Sequence, residues 1–367
     1  MILYIFPILI IIYAIIQYDI ANHKNGRGNV IWYGLYIYFI VLLSLRYGVG
    51  GDTINYMNDY IWRQPLSSWK PTLLDSFQPG YTFLCAIAKS VSDEFYVFQF
   101  LHAFLFNSLL FVFISKNSKY RFSSLLAVYI LCYIYFTTEI LRESLAVMVF
   151  LFNYSNFESN RWGRYYVGVL FGCLFHISAI FLVLLPLIKW LKFNKYYLLT
   201  MIVVIPLMFF LQNILGLITN LTLVGDKVSS YIDDTTHGIL ADTLTLFRYS
   251  VFPMLFVILI KYGLHRSLKY ENAIAMMTIF GIAAYFSPII FSRAVNYFII
   301  FFAISFSSVI IDLIKTKRAR MAVNVVIILT SFLFVYGSEY VLYGRYKRFI
   351  PYYSIFNPVS VDRDNYK

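Results

Sequence analysis

The chain has 367 residues, of which 60% are hydrophobic, 20% aromatic and only 13% charged, with a mean hydropathy of +0.70. A soluble domain carries about 25% charged residues, so this composition excludes a water-soluble fold and makes the chain an integral membrane protein. The net charge of +12 would direct a soluble protein to nucleic acid. Here the basic residues fall mainly in short loops between apolar runs, where they set orientation and meet anionic lipid, and no nucleic acid is implied.

Residues 2–18 read as a first span, retained rather than cleaved because no basic leading segment or small-residue cleavage site accompanies it. A short basic turn at 22–28 leads into a second span, 30–45, which delivers Arg46. The polar loop 47–78 carries Asp52, Asp59, Arg63, Lys70 and Asp75. An apolar stretch follows at 79–91, short for a crossing, and then a full span at 95–115 ending in Lys116, Lys119 and Arg121. Residues 122–137 and 140–154 predict a helical hairpin with Glu139, Arg142 and Glu143 at its tip. The apolar run 165–190 is interrupted by His176-Ile177-Ser178. Beyond it come a span at 196–218, a second polar loop at 219–243, a span at 244–260 containing Arg248, and spans at 273–291, 294–314 and 323–336, the first of which ends at Arg293.

The expected fold is therefore all-α: a polytopic membrane helix bundle of roughly 10–12 segments, one or two of them re-entrant or broken. It reads as a single membrane domain over 1–337, with outer loops 47–78 and 219–243, followed by a polar, aromatic tail at 338–367. The basic cluster from Lys315 to Arg320 marks the cytoplasmic side. Counting back from it, the basic turns at 116–121 and 161–164 are also cytoplasmic only if 79–91 and 165–190 each enter and return. That reading gathers Arg46, Asp52, Glu139, Arg142, Arg248 and Arg293 on the outer side. If both segments cross once, the two basic turns face outward.

Ionisable residues in or beside spans are costly to bury and so are candidates for function. Their ordinary alternative is to cap a helix end and snorkel to water, and Glu139 and Arg142, three apart on one helical face, have the further alternative of pairing with each other. Arginine suits phosphate because its planar fork gives paired, charge-assisted hydrogen bonds. Several arginines on one side of the membrane point to a lipid-borne phosphate or pyrophosphate, and a nearby carboxylate or histidine can take a proton from an attacking hydroxyl. Asp233, Asp234 and His237 lack further metal-ligand spacing and read as a solvated loop. Cys85, Cys132 and Cys173 lie in apolar runs with no Cys-x-x-Cys pair, so neither a disulfide framework nor a zinc site is expected. No nucleotide-binding or hydrolase motif is present.

Five short stretches in order complete the reading. They are Leu45-Arg46-Tyr47-Gly48-Val49-Gly50-Gly51-Asp52-Thr53-Ile54-Asn55-Tyr56, Gln78-Pro79-Gly80-Tyr81, Leu141-Arg142-Glu143-Ser144-Leu145-Ala146, Phe175-His176-Ile177-Ser178-Ala179, and Ser292-Arg293-Ala294-Val295-Asn296-Tyr297-Phe298. In these the chain resembles the EpsG-like and Wzy-type bacterial polysaccharide polymerases. It departs from their common pattern at Gly51, where threonine is usual, and at Glu143, where glutamine is frequent; the tail is poorly matched.

The resemblance implies a multi-pass glycosyltransferase of the bacterial inner membrane. Such an enzyme joins oligosaccharide repeat units carried on undecaprenyl pyrophosphate, at the periplasmic face, into O-antigen, capsule or exopolysaccharide. It implies no cofactor, metal or nucleotide. The implied partners are the lipid-linked glycan, membrane lipid and a chain-length regulator protein. On this reading Arg46, Arg142, Arg248 and Arg293 bind pyrophosphate, and Arg46 holds either a phosphate or Asp52. Asp52, Glu139 or His176 is the base, and Tyr56 and Tyr297 meet the sugars. An O-antigen ligase would use similar residues. A lipid-linked oligosaccharide flippase would be expected to show internal repeats, which are not seen, and a membrane acyltransferase would need a histidine–aspartate pair near an inner loop.

Overall fold

In lipid a backbone must satisfy its own hydrogen bonds, and a helix does so within one segment. In the computed structural model every regular element among the described residues is helical. These residues are 1–23, 26–71, 77–194, 196–197, 199–203, 206, 210, 239–286, 288–316, 319–342 and 345–359. Asp75, Lys317, Arg318 and most of the second polar loop, with Asp226, Lys227, Asp233, Asp234 and His237, lie outside them. Five helices are long and apolar enough to cross a membrane: Ile2–Ile20 (α1), Arg27–Ser44 (α2), Phe95–Asn117, Arg121–Thr138 and Asp242–Gly263. Shorter apolar helices cover Ile177–Ile188 and Met321–Gly337. This is a multi-pass membrane helix bundle.

The sequence reads as one domain and a tail; the chain divides into two compact units. The first comprises Met1–Val183, Phe306–Ala322 and Gly337–Lys367, and so takes in the tail. The second comprises Leu184–Ser305 and Val323–Tyr336.

In the first unit α2 leads through a glycine-rich loop to a short helix, α3 (Thr53–Trp62), then α4 (Pro79–Lys89), then α5 (Phe95–Asn117). Three residues separate α5 from α6 (Arg121–Thr138). The core where α2, α5 and α6 meet is aromatic: Phe39 lies 4.7 Å from Tyr133, and Trp32 4.6 Å from Phe111, between ring centroids. A π-helical turn at Tyr129–Tyr133 interrupts α6 and stacks those two rings 5.5 Å apart.

Only Glu139 and Ile140 separate α6 from α7 (Leu141–Glu158), so the expected hairpin is present with the charges at its tip. The returning helix α8 (Trp162–Cys173) packs on α7, where Asn153 Nδ2 donates to the Tyr165 carbonyl at 2.8 Å. The chain then turns at residues 174–176 into the 3-10 helix Ile177–Ile188. Tyr165 Oη donates to Leu182 O at 2.5 Å, and Gly172 faces Ala179. The run thus doubles back on itself at His176. The other short segment, α4, stays beside α3 at both ends: Tyr56 and Tyr81 rings lie 5.9 Å apart, and Tyr60 Oη donates to Ser92 O at 3.0 Å.

The second unit is built on α9 (Asp242–Gly263), α10 (Glu271–Phe286), α11 (Pro288–Asn296), the first part of α12 (Ile299–Lys315) and the middle of α13 (Ala319–Leu342). Helix α9 contains two π-helical turns, Phe247–Val251 and Leu259–Gly263. It is tied to α10 by Ser250 Oγ donating to Thr278 O at 2.7 Å and to α13 by Tyr336 Oη donating to Arg248 O at 2.8 Å.

Candidate functional site

The loop after α2 turns where its glycines allow it. Gly48 and Gly50 have φ of +57° and +105°, a region that side chains disfavour. A Cβ on Gly50 would lie 2.7 Å from the Thr138 carbonyl, so the loop is pressed against the end of α6. Thr53 Oγ1 reinforces that contact, donating to Val49 O at 2.6 Å and lying 3.2 Å from Thr138 O. Asp52 is the half-buried residue at the N-terminus of α3, where the helix dipole favours its negative charge.

Arg46 is 2% exposed and turns inward, its Nη1 donating to Leu43 O at 3.1 Å. Its Nε and Nη2 have no hydrogen-bond partner among the described residues, and its electrostatic neighbours are Tyr4, Tyr352 and Tyr133. Burial lowers its pKa to about 10, which leaves a cation at neutral pH. Arg46 therefore does not hold Asp52. Its side chain is folded back along its own helix, whereas Asp52 begins the next one.

The tail seals this loop. Tyr47 N donates to Tyr353 O at 2.9 Å, Gly50 N to Arg348 O at 3.0 Å, and Ile355 N to Leu45 O at 2.9 Å. Tyr352 Oη donates to Leu42 O at 2.8 Å. The Arg348 side chain reaches Glu139, with Nη1 donating to Oε2 at 2.8 Å and both residues buried. A buried carboxylate needs such a counter-charge, so Glu139 is half of an ion pair.

Arg142, the second residue of α7, is half-buried and faces rings. Its guanidinium carbon lies 4.1 Å from the Phe77 centroid, 5.8 Å from that of Tyr81 and 5.9 Å from that of Tyr56. Nη1 donates to Gln78 Oε1 at 3.1 Å, and Nε has no hydrogen-bond partner among the described residues. Stacking of this kind is characteristic of arginine. Phe77 is held from its other neighbour too: the Arg63 guanidinium carbon is 5.2 Å from its centroid, and Arg63 Nε and Nη2 grip the Asp59 carboxylate at 2.8 and 2.6 Å. Tyr56, expected to meet sugar, is buried against Arg142 and Tyr81.

The remaining first-unit motif joins through Gly80. Its N–H donates to Leu174 O at 2.7 Å, and a Cβ there would lie 2.7 Å from that same oxygen. His176 follows, buried, its Nδ1 accepting the Ser178 N–H at 3.2 Å and standing 2.7 Å from Ser178 Oγ and 4.0 Å from Glu143 Oε2. His176 thus caps the start of the 3-10 helix through its Nδ1.

In the second unit Arg248 is buried on the first π-helical turn of α9, its guanidinium 5.7 Å from the Tyr249 ring. Arg293 is half-buried in the last turn of α11. Tyr297 is wholly buried in the turn between α11 and α12.

The model of the EpsG family matches residues 29–354. The chain belongs to the EpsG family. No curated protein and no solved structure matches it. Membership sets the class of activity, a polysaccharide-polymerase role of glycosyltransferase type in a multi-pass membrane protein. The match reaches residue 354, so it includes Arg348, Tyr352 and Tyr353 of the tail but not Ile355.

Three supporting residues escaped the sequence reading. Arg348 lies in the tail, and nothing local marks it as the partner of Glu139. Gln99 and His102 lie in the apolar helix α5. Gln99 Nε2 donates to the carbonyl of Arg46 at 2.9 Å, and His102 Nε2 lies 2.9 Å from Leu141 O and 3.2 Å from Ser144 Oγ. Two polar residues three apart in an apolar span share one face and were a readable signal. Among the described residues no three His, Cys, Asp or Glu side chains gather as a metal site.

Proposed function

We propose that this EpsG-family chain polymerises oligosaccharide repeat units carried on undecaprenyl pyrophosphate, at the periplasmic face of the bacterial inner membrane, without metal or nucleotide. The observation that carries the reading is the Arg142 cage. It draws Tyr56, Gln78, Tyr81 and Arg142, from three separate motifs, around one guanidinium that keeps a free N–H. A planar cation fixed by rings is suited to meeting phosphate oxygens in one orientation.

In the reaction the acceptor sugar hydroxyl attacks the anomeric carbon of the growing chain. The new glycosidic C–O bond forms as the bond from that carbon to the pyrophosphate oxygen breaks, and the bonding electrons leave with undecaprenyl pyrophosphate. Asp52 takes the hydroxyl proton. Asp52 is assigned this role because it stands half-buried at the start of α3 in the glycine-rich loop, whereas Glu139 is tied to Arg348 and stays out of the chemistry. Arg142 offsets the charge that develops on the leaving group. Arg248 and Arg293 are assigned to phosphate oxygens on the same chemical ground. The glycan on its lipid, bulk membrane lipid and a chain-length regulator are the proposed partners.

The test is direct. Purified full-length protein in nanodiscs, given lipid-linked repeat units and EDTA with no nucleotide sugar, should lengthen the glycan. Arg142→Ala and Arg293→Ala should abolish lengthening at normal protein levels. Long chains made by either variant would overturn the phosphate assignment.

A further inference from the structure

We propose that the exposed face of α3 is the seat of the acceptor glycan: the Trp62 indole stacks on a sugar ring, and Asn55 and Asn58 bond sugar hydroxyls. The proposal deepens the reading of function above, on which its activity arm rests.

Helix α3 has two unlike faces. Thr53, Tyr56 and Tyr60 are buried. Of these, Thr53 meets the end of α6, and Tyr56 packs toward Arg142 and Tyr81. Asn55, Asn58 and Trp62 are exposed, the tryptophan to 81%. Their spacing of three and then four residues sets them in one line along the helix. Asp52, at the start of α3, stands at the head of that line, one turn before Asn55. From Asp52 to Trp62 the line covers about 15 Å, room for a short run of sugars beside the proton acceptor. One ten-residue helix therefore borders the Arg142 guanidinium with its buried face and carries this stripe on the other.

The residue types fix the class of ligand. A carboxamide offers two donors and an acceptor without a charge, which matches the neighbouring hydroxyls of a sugar. An indole offers a broad, rigid, amphipathic surface at little cost in conformational freedom, and the C–H face of a pyranose ring lies flat on it. A phosphate would call for a cation instead, and Arg63, the residue after Trp62, is held by Asp59 at 2.8 and 2.6 Å. The stripe thus fits an uncharged saccharide. An exposed indole also suits the lipid headgroup layer, and the test separates the two.

In full-length protein in nanodiscs of fixed lipid composition, KM for a single lipid-linked repeat unit is measured at saturating lipid-linked chain. Trp62→Leu keeps affinity for lipid but lacks the flat ring, and Trp62→Tyr keeps a ring. The leucine variant should raise KM about tenfold and Asn58→Ala about fivefold, the loss of one contact each. Both should leave kcat within about twofold, since binding alone is removed, and the tyrosine variant should stay near wild type. Equal KM in the leucine, tyrosine and wild-type chains would make Trp62 a lipid anchor and overturn the proposal. So would a loss confined to kcat. A second arm needs no turnover: the repeat unit, freed of its lipid by mild acid, is offered to the same protein in saturation-transfer NMR. Its sugar protons should receive saturation from the wild type and lose most of it with Trp62→Leu. A signal missing from the wild type, or unaltered in the variant, overturns the proposal. If the wild type elongates nothing while that signal depends on Trp62, the polymerase reading falls and the glycan face stands.

Discussion

At the end of the first unit where α2 stops, Glu139 and Arg348 pair at 2.8 Å while only 5% and 7% exposed, and Arg46, just past α2, is 2% exposed. At the end where α5 stops, about 34 Å away along that 23-residue helix, Lys119 pairs with Asp312 at 2.7 Å with the lysine side chain 63% exposed. Tyr120 and Lys315 join the second cluster, the lysine 4.4 Å from the tyrosine ring. One end buries charge and ties it across long stretches of chain; the other leaves it in contact with solvent. Surface charge of the second kind is enough to set orientation. Buried charge of the first kind needs a matched partner and a scaffold that holds it, and such sites are where function concentrates.

The sharpest way to break this contrast is to remove one partner of the buried pair. Glu139→Gln or Arg348→Met breaks this buried pair and should cost about 3–5 kcal/mol of stability, read as a lowered thermal midpoint in detergent. A change as small as a surface pair gives would show that this end is no more organised than the other. Next is Arg142→Lys, which keeps the charge but loses the planar fork and its stacking. It should lower chain elongation about 10- to 150-fold, the loss of roughly 1.5–3 kcal/mol from a charged hydrogen bond, with little change in thermal midpoint; wild-type elongation by the lysine form would remove the case for a planar contact.

Gly50→Ala places a methyl group 2.7 Å from Thr138 O at a φ of +105° and should destabilise by at least ~1 kcal/mol. Gly26→Ala, where nothing lies within 4 Å, is its control. Equal midpoints for the two would mean that the loop does not press on α6. The smallest effect belongs to the solvent-facing end. Lys119→Ala should change stability by less than about 1 kcal/mol, and less still in high salt. A loss as large as that of Arg348→Met would erase the distinction between the ends.

Much of the helical plan was legible because an apolar run in lipid has one way to satisfy its backbone. The break at His176 was visible as two polar residues inside the run 165–190, and the hairpin tip as three charges between apolar helices. The glycines of the mouth announced a turn. What could not be read was partnership. Glu139 has a plausible mate three residues away, and the sequence gives no reason to prefer one 209 residues distant. Arg46 next to an acidic loop looks like the holder of Asp52, but whether its side chain follows the loop or folds back to Leu43 depends on the space α5 and the tail leave beside it. Tyr56 reads as an exposed ring on a polar loop; only the packing of α3 against α4 shows it turned toward Arg142.

Composition and the spacing of apolar runs alone determined that this is a multi-pass helical membrane protein, since burial of backbone and side chains in lipid is a local, additive requirement. The order of its five short motifs was enough to point to its family. The tertiary structure decided which charges neutralise one another and that residues 346–357 belong to the mouth rather than to a trailing segment. Ion pairing is a matter of distance in space, and distance in space between far-separated residues is fixed only when the helices pack.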